Sequence, residues 1–175
     1  KIKKILLICN IGIPGNGYSV AHALARSGFL PEEMMTEDIL KQKDFFNCAV
    51  AYEVTLKKNL PEWAKRNKDI LLLEDGYGNY VAHLLAEQGN LPIEMMTPEI
   101  LQKENAYKTT VLHSLVFGQQ LLPQVLLLPW DKDMFVYECL QTNKFRAQIE
   151  KKHLVYIDKM LAELMKVCLS ELRYQ

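Results

Sequence analysis

The chain has 175 residues, of which 49% are hydrophobic and 24% are charged, a composition typical of a globular protein. Its 21 basic and 21 acidic side chains balance, which argues against nucleic acid or an anionic membrane as the main partner. The longest apolar run, LLPQVLLLPW at 121–130, is well short of the roughly 20 residues of a membrane span.

The first segment, KIKKILLICNIGIPGNG, begins with lysines and a short apolar run but has no clear small-residue cleavage site. It therefore does not fit a secretory signal peptide. KKILLICN resembles KDILLLED at 68–75, and the chain begins with lysine. We expect that it starts inside a repeated unit of a processed or longer protein.

The cysteines are Cys9, Cys48, Cys139 and Cys168. They include no CxxC pair, and most of them lie among apolar neighbours. Buried, reduced thiols in a cytoplasmic protein are therefore expected, and a disulfide framework is the less favoured alternative.

Four copies of one pattern lie between residues 15 and 128. A valine recurs at spacings of 30, 31 and 30 residues, with a histidine or tyrosine two residues later and a leucine ten residues later. The valines are Val20, Val50, Val81 and Val111, the following residues are His22, Tyr52, His83 and His113, and the leucines are Leu30, Leu60, Leu91 and Leu121. Such a short unit cannot bury its apolar face alone, so the pattern predicts stacked repeats.

Each copy has the local signals of a turn followed by two helices. In the third copy, DGYGN at 75–79 is typical of a turn, and YVAHLLAEQ predicts a first helix that ends at Gly89. LPIEMM predicts a second helix with Pro92 near its first position. Thr97 is expected to cap a further turn that begins with Pro98, and Thr36 does the same in the first copy. The first three copies end with an Ile-Leu pair.

The segment DGYGNYVAHLLAEQGNL at 75–91 resembles the first half of an ankyrin repeat. The matching positions are Asp75, Gly78, His83, Ala86 and Gly89. Tyr80 and Val81 replace the threonine and proline of that pattern, and PIEMMTPEIL interrupts the second helix with Thr-Pro. The resemblance covers residues 15–128, is poor over 129–147 and is absent from the C-terminal segment. It implies a stack of repeats whose turns project as fingers, with fingers and first helices forming the binding face.

We therefore predict an all-α protein, an α-solenoid of stacked helix-turn-helix ankyrin-like repeats with a long C-terminal capping helix. The array is expected over 1–147, with a partial unit at 1–14 and units at about 15–44, 45–75, 76–105 and 106–128. A degenerate unit is expected at 129–147, where VYECLQTNKF resembles AYEVTLKKNL at 51–60. Residues 148–175 carry apolar side chains at helical spacing and are expected to pack on the array as one helix.

The recurring histidines allow two hypotheses, a metal site and a structural role. A shared zinc ion needs each nitrogen at about 2.0–2.1 Å. Stacked helices lie about 8–10 Å apart, and Tyr52 occupies the position between His22 and His83. The ankyrin resemblance implies that this histidine hydrogen-bonds the backbone of a neighbouring turn. We expect the structural role, and no metal or other cofactor.

Patterns that would indicate catalysis are weak. Ser19 and His22, and His113 and Ser114, are close in sequence, but no third residue is evident that would orient the histidine. GIPGNG at 12–17 lacks the GK[ST] of a phosphate-binding loop. We expect no enzymatic activity and no small-molecule substrate.

Paired residues at the second helices have structural interpretations. The methionine pairs Met34-Met35 and Met95-Met96 could line an adaptable groove but are expected in the core between units. The acidic pairs Glu32-Glu33 and Glu37-Asp38 are expected in first turns, where the helix dipole favours negative charge.

Aromatic residues recur at the third position of the turn, at Phe46, Tyr77 and Tyr107. The ankyrin resemblance places this position on an exposed finger, and aromatic side chains are enriched at protein interfaces. The alternative is that the rings fold back and only cover the stack. The full predicted partner-binding set adds the flanking Tyr18, Phe45, Asn79 and Thr109, and, on the first helices, Arg26, Leu56, Glu87, Gln88 and Phe117.

The favoured hypothesis is a scaffold that binds a partner protein through its fingers and first helices. The resemblance further implies that such arrays occur in bacterial effectors and phage proteins that bind a host protein. The protein is then expected in the cytoplasm, of the source cell or of the host. Two alternatives remain, a substrate-recruiting arm of a larger enzyme and a structural module that self-associates through its C-terminal helix.

Overall fold

The structure, a computed structural model, describes residues 17–118 and Ala162. Its α-helices over 17–118 are α1 (Val20–Ser27), α2 (Glu37–Leu40), α3 (Val50–Leu56), α4 (Glu62–Lys65), α5 (Lys68–Leu71), α6 (Val81–Glu87), α7 (Pro98–Leu101) and α8 (Val111–Phe117). In this part of the chain β-pairing is confined to isolated bridges, so the predicted all-α class is confirmed there.

Several predicted features lie outside the described residues. They are the partial unit at 1–14, the degenerate unit at 129–147, the C-terminal helix at 148–175 except Ala162, and the residues Cys9, Leu121, Cys139 and Cys168. The predicted division into units stays a prediction.

Helices α1, α3, α6 and α8 begin at the four recurring valines, and we call them the first helices. Their contacts follow chain order, because α1 packs on α3, α3 on α6, and α6 on α8. Buried alanines line these contacts, at Ala21, Ala25, Ala51, Ala82 and Ala86. Small side chains allow helix axes to approach closely, so the alanine pattern explains why the first helices lie side by side.

Capping residues that can be recognised in the sequence terminate the first helices. Ser19 and His22 form a reciprocal capping box at the start of α1, the arrangement that satisfies two otherwise unpaired donors. Gly28 ends α1 with φ 77°, and Gly89 follows α6 with φ 79°, as predicted for Gly89. Lys58 occupies the same position after α3 with φ 60°, a conformation that a lysine adopts at some cost in energy.

The second half of each of the first three units is divided into two short pieces, as the Thr-Pro break predicted for the third unit, but the first piece is shorter than the predicted helix. It contains a single 3-10 turn before a short α-helix, at Glu32–Met34 before α2 and at Ile93–Met95 before α7. In the unit between them, α4 replaces the 3-10 turn and precedes α5. Pro92 lies one position before its turn, with ψ 140°, rather than at the first helical position. Pro92 is therefore near the first position of the helical segment, as predicted, and its carbonyl accepts from Met95 N at 3.0 Å.

Thr36 and Thr97 occupy the predicted N-cap positions of α2 and α7, but their hydroxyls make no capping hydrogen bond. The backbone explains this difference. The amide groups that a cap hydroxyl would bind, those of Ile39 and Ile100, donate instead to the carbonyl oxygens of the two threonines, at 3.0 Å in both cases. The acidic pairs lie in first turns as predicted.

The core lies between the first helices and the short second helices. The three Ile-Leu pairs are fully buried, at Ile39-Leu40, Ile70-Leu71 and Ile100-Leu101. Met35 and Met96 are buried, and Met34 and Met95 are partly buried against the core, which confirms their predicted core position. Burial of one large apolar side chain contributes about 1.5–3 kcal/mol, so the repeated Ile-Leu pairs are a main source of the stability of the stack.

Candidate partner-binding surface

The turns that precede α3, α6 and α8 are short antiparallel hairpins, which we call fingers 2, 3 and 4 (residues 43–49, 74–80 and 104–110). A single bridge joins the two arms of each, at Lys43–Ala49, Glu74–Tyr80 and Glu104–Thr110. One residue further in, a backbone N–H donates across the hairpin at 2.9–3.0 Å, from Asp44 to Cys48, from Asp75 to Asn79 and from Asn105 to Thr109. The three fingers are thus copies of one structure.

An aspartate or asparagine side chain holds the tip of each finger. In finger 3, Asp75 Oδ1 accepts from the backbone N–H groups of Tyr77 and Asn79, at 2.8 and 2.9 Å. Asp44 and Asn105 make the same two bonds in fingers 2 and 4, all at 2.9 Å. These bonds, typical of Asx turns, fix the backbone of the aromatic residue at the tip.

The next position takes a left-handed backbone in every finger. Its residues are Asn47, Gly78 and Lys108, with φ of 64°, 74° and 61°, and Gly17 has φ 64° at the equivalent place before α1. The three fingers therefore adopt one turn with three different residues at this position, because the Asx bonds and the bridge determine the conformation more strongly than the residue type does.

The predicted aromatic residues lie at these tips and point away from the core. Phe46, Tyr77 and Tyr107 are 68–70% exposed, and Phe45 is exposed beside Phe46, with the two rings edge to face at 5.6 Å. The alternative in which the rings fold back to cover the stack does not fit these exposures. A side chain that packs on a neighbouring turn would lose most of its accessible surface.

Contacts between fingers fix their spacing. Asn105 Nδ2 donates to Asn79 Oδ1 at 2.7 Å, and Ala106 N donates to Tyr77 O at 3.3 Å. Gly76 lies so close to the carbonyl oxygen of Phe46 that a Cβ atom at this position would overlap with it. Because finger 3 approaches finger 2 so closely here, only glycine fits at this position without a shift of the backbone.

His22 and His83 have the structural role that was predicted. Nε2 of His22 is 3.1 Å from Cys48 O in finger 2, and Nε2 of His83 is 3.0 Å from Thr109 O in finger 4. Nδ1 of each ring accepts from a backbone N–H at the start of its own helix, at 3.3 and 3.1 Å. Burial lowers the pKa of both imidazoles, although the carbonyl contacts act in the opposite direction. Each histidine thus joins a first helix to a finger as a neutral ring.

Tyr52 occupies the histidine position of the second unit and has a different neighbour. It is buried, and its phenol lies near the carboxylate of Asp75 in finger 3. Burial and this negative charge raise the pKa of the phenol. The tyrosine therefore replaces the histidine as a link between a first helix and the next finger.

The other predicted contact residues fall into two groups. Arg26, Leu56 and Glu87 are exposed on the first helices, and Phe117 is half-buried. Glu87 also accepts from Ser114 Oγ at 3.2 Å.

The remaining four residues contribute to the stack itself. Gln88 Nε2 donates to Thr55 O at 2.9 Å. Asn79 bonds Asp75 and Asn105. The carbonyl of Thr109 accepts from His83, and the ring of Tyr18 lies 5.4 Å from that of His22. These contacts are not visible in sequence spacing.

A groove of about 420 Å³ lies between fingers 2 and 3 and the surface of α3. It brings together three of the predicted contact residues, Phe46, Leu56 and Tyr77. The lining residues that the sequence analysis did not predict are Asp44, Cys48, Tyr52, Glu53, Asp75 and Gly76. Glu53 could have indicated this groove in the sequence, because it is charged, whereas the equivalent positions of the other first helices hold the uncharged Ala23, Leu84 and Ser114.

The groove does not have the features of a nucleophilic site. Cys48 is a free thiol, and burial, with the carboxylates of Glu53, Asp44 and Asp75, raises its pKa to about 12. A thiol with such a pKa is protonated at neutral pH and is a weak nucleophile. His22 contacts the backbone oxygen of Cys48, so its imidazole does not act as a base toward the sulfur in this geometry.

Within residues 17–118, His, Cys, Asp and Glu side chains form no group of three or more that could hold a metal ion. The helices of the same part of the chain are too short or too polar to cross a membrane. Comparisons of the chain with family models, with curated proteins and with solved structures found no match.

Proposed function

We propose that the protein is a binding scaffold, a divergent ankyrin-like solenoid that recognises a partner protein through its fingers and first helices. The observation that carries this proposal is the row of aromatic tips at equivalent positions, Phe46, Tyr77 and Tyr107, each 68–70% exposed. Exposed apolar residues that recur along one face mark protein interaction sites, and burial of these rings against a partner would be favourable.

The structure of the fingers favours binding through aromatic tips whose backbone is already fixed. The Asx bonds and the contacts between fingers hold the tips before a partner arrives, so little backbone entropy is lost on binding. Tyrosine and phenylalanine offer large contact areas with few rotatable bonds, which is why they are enriched at interface hot spots. Leu56, exposed on α3 beside two of the tips, extends the apolar surface onto a first helix.

The test replaces the three tips together, as Phe46→Ser, Tyr77→Ser and Tyr107→Ser, in the full chain. Capture of proteins from the cytosol of the source or host cell, read by mass spectrometry, should lose its specific partner with this variant. Thermal unfolding should stay close to that of the wild type, because exposed rings bury little surface on folding.

A matched control changes three exposed apolar residues that lie between first and second helices, Phe29, Trp63 and Ile93, also to serine. The control should retain the partner. Retention by the finger variant, or loss by both variants alike, would contradict the proposal. A large fall in melting temperature of the finger variant would show that the tips serve packing.

A further inference from the structure

We propose that the groove between fingers 2 and 3 receives a long basic side chain, arginine or lysine, that projects from the partner protein. This inference rests on the proposed function, and it specifies the chemistry of one contact within it. It follows from the charge, the aromatic walls and the unpaired carboxylate of this groove.

The groove is negatively charged. Asp44, Glu53 and Asp75 line it, and no lysine or arginine is among its lining residues. The charge acts on groups inside the groove, because all three carboxylates add to the effect of burial in raising the pKa of the Cys48 thiol. Arg26 acts on the same thiol in the opposite direction but does not line the groove.

The three carboxylates are not equivalent. Asp75 is held by the backbone N–H of Tyr77 and by Asn79, and Asp44 uses one oxygen to hold finger 2. Glu53 is half-buried on the first turn of α3, and its carboxylate makes neither an ion pair nor a hydrogen bond with the described residues. A half-buried carboxylate without a counterion favours the approach of a cation, because part of its desolvation has already occurred on folding.

The lining residues of the groove are complementary to both parts of a basic side chain, its methylene groups and its cation. Phe46 of finger 2, Tyr77 of finger 3 and Leu56 of α3 line the groove. The methylene groups of an arginine or lysine can pack on Leu56 and the rings, while its cation faces an aromatic ring and Glu53. The equivalent place between fingers 3 and 4 has Leu84 in the position of Glu53, so this recognition is specific to one pair of fingers.

The probe for the test is the pentapeptide acetyl-Ala-Ala-Arg-Ala-Ala-amide, titrated into the 15N-labelled full chain at low salt. Its neutral control carries citrulline in place of arginine. We expect saturable shifts of the amide signals of Cys48, Glu53, Gly76 and Tyr77 with the arginine peptide, at millimolar affinity. The citrulline peptide should bind several-fold more weakly.

Two variants separate the contributions. Glu53→Gln and Phe46→Leu should each weaken binding of the arginine peptide by about two- to fivefold, the range for an exposed ion pair and for an exposed cation–π contact. Glu33→Gln, which removes an exposed charge outside the groove, should leave binding unchanged. Circular dichroism of each variant verifies the fold.

Equal binding of the two peptides, or unchanged affinity of Glu53→Gln, would overturn the inference. So would shifts confined to residues outside the groove. These outcomes differ from a failure of the proposed function, in which the serine variant of the three tips still captures the partner. If the serine variant loses the partner and the arginine peptide does not bind the groove, only the inference fails.

Discussion

Acidification from pH 7.5 to 5.5 should destabilise the stacked helices, because the structure holds two imidazoles neutral. His22 and His83 are at most 2% exposed. Each accepts a backbone N–H at Nδ1 and contacts a carbonyl oxygen at Nε2. A second proton would have to bind Nδ1, where it would point at the backbone N–H that this nitrogen accepts. Burial also lowers the pKa of both rings.

The sign and size of the effect follow from linkage. The unfolded rings titrate near a pKa of about 6.5, and the folded rings titrate at lower pH. Below pH 6.5 the unfolded chain therefore binds protons that the folded chain does not, and stability is lost as the pH falls toward the folded pKa. If both rings stay neutral in the fold at pH 5.5, each contributes a loss of about 1.4 kcal/mol, or about 2.7 kcal/mol together.

Urea unfolding at pH 7.5, 6.5 and 5.5, followed by far-UV circular dichroism, measures this loss. The double variant His22→Gln, His83→Gln should be less stable at pH 7.5 but should lose much less between pH 7.5 and 5.5. Both proteins retain His113 and the same carboxylates, so the difference between them reports the two buried rings. A wild type that is equally stable at all three values, or a double variant with the same pH dependence, would refute the reasoning.

Two further predictions concern the fingers, both measured by urea unfolding at pH 7.5. Gly76→Ala should destabilise by about 1–3 kcal/mol, because the added Cβ meets the Phe46 carbonyl, whereas Ala106→Gly at the equivalent position should change stability by less than about 1 kcal/mol. A Gly76→Ala protein as stable as the wild type would show that the fingers are not spaced as described. Asp75→Asn should destabilise by about 1–3 kcal/mol, since an amide nitrogen replaces the Oδ2 that accepts from Asn79 Nδ2. Asp44→Asn should have a smaller effect, because its two finger bonds use one oxygen and finger 4 makes the same bonds with Asn105; a larger effect at Asp44 would contradict this view of the turns.

The sequence predicted those features that depend on contacts within one unit. The valine register located the start of each first helix, because helix ends follow from local signals such as Ser19 and Gly89. The burial of the Ile-Leu pairs also followed from their period. The break at Thr97-Pro98 was predicted from the sequence, but the reduction of the preceding part to a single 3-10 turn was not, because Pro92 is compatible with an α-helix as well as with a 3-10 turn.

Features that depend on contacts between units were accessible only from the structure. Glu53 has the sequence context of an ordinary first-turn acid, and its place in a groove follows from finger 3, more than 20 residues away in the chain. Asn79 and Gln88 were expected to face a partner, yet their side chains bond Asn105 and Thr55 in neighbouring units. Sequence spacing indicates that a residue lies at a unit's surface, but not whether that surface meets solvent or the next unit.

The histidine contacts give the stack a direction. His22 depends on a carbonyl 26 residues later, and so does His83, so each of these two units is completed by the finger that follows it. During synthesis, a first helix leaves the ribosome before the finger that supplies its acceptor. Removal of units from the C-terminal side leaves a buried imidazole N–H without its carbonyl acceptor. Removal from the N-terminal side leaves a carbonyl without its imidazole donor, and water can bond that carbonyl instead. A stable fragment of this protein should therefore end after a finger, and the position of its first residue should matter less.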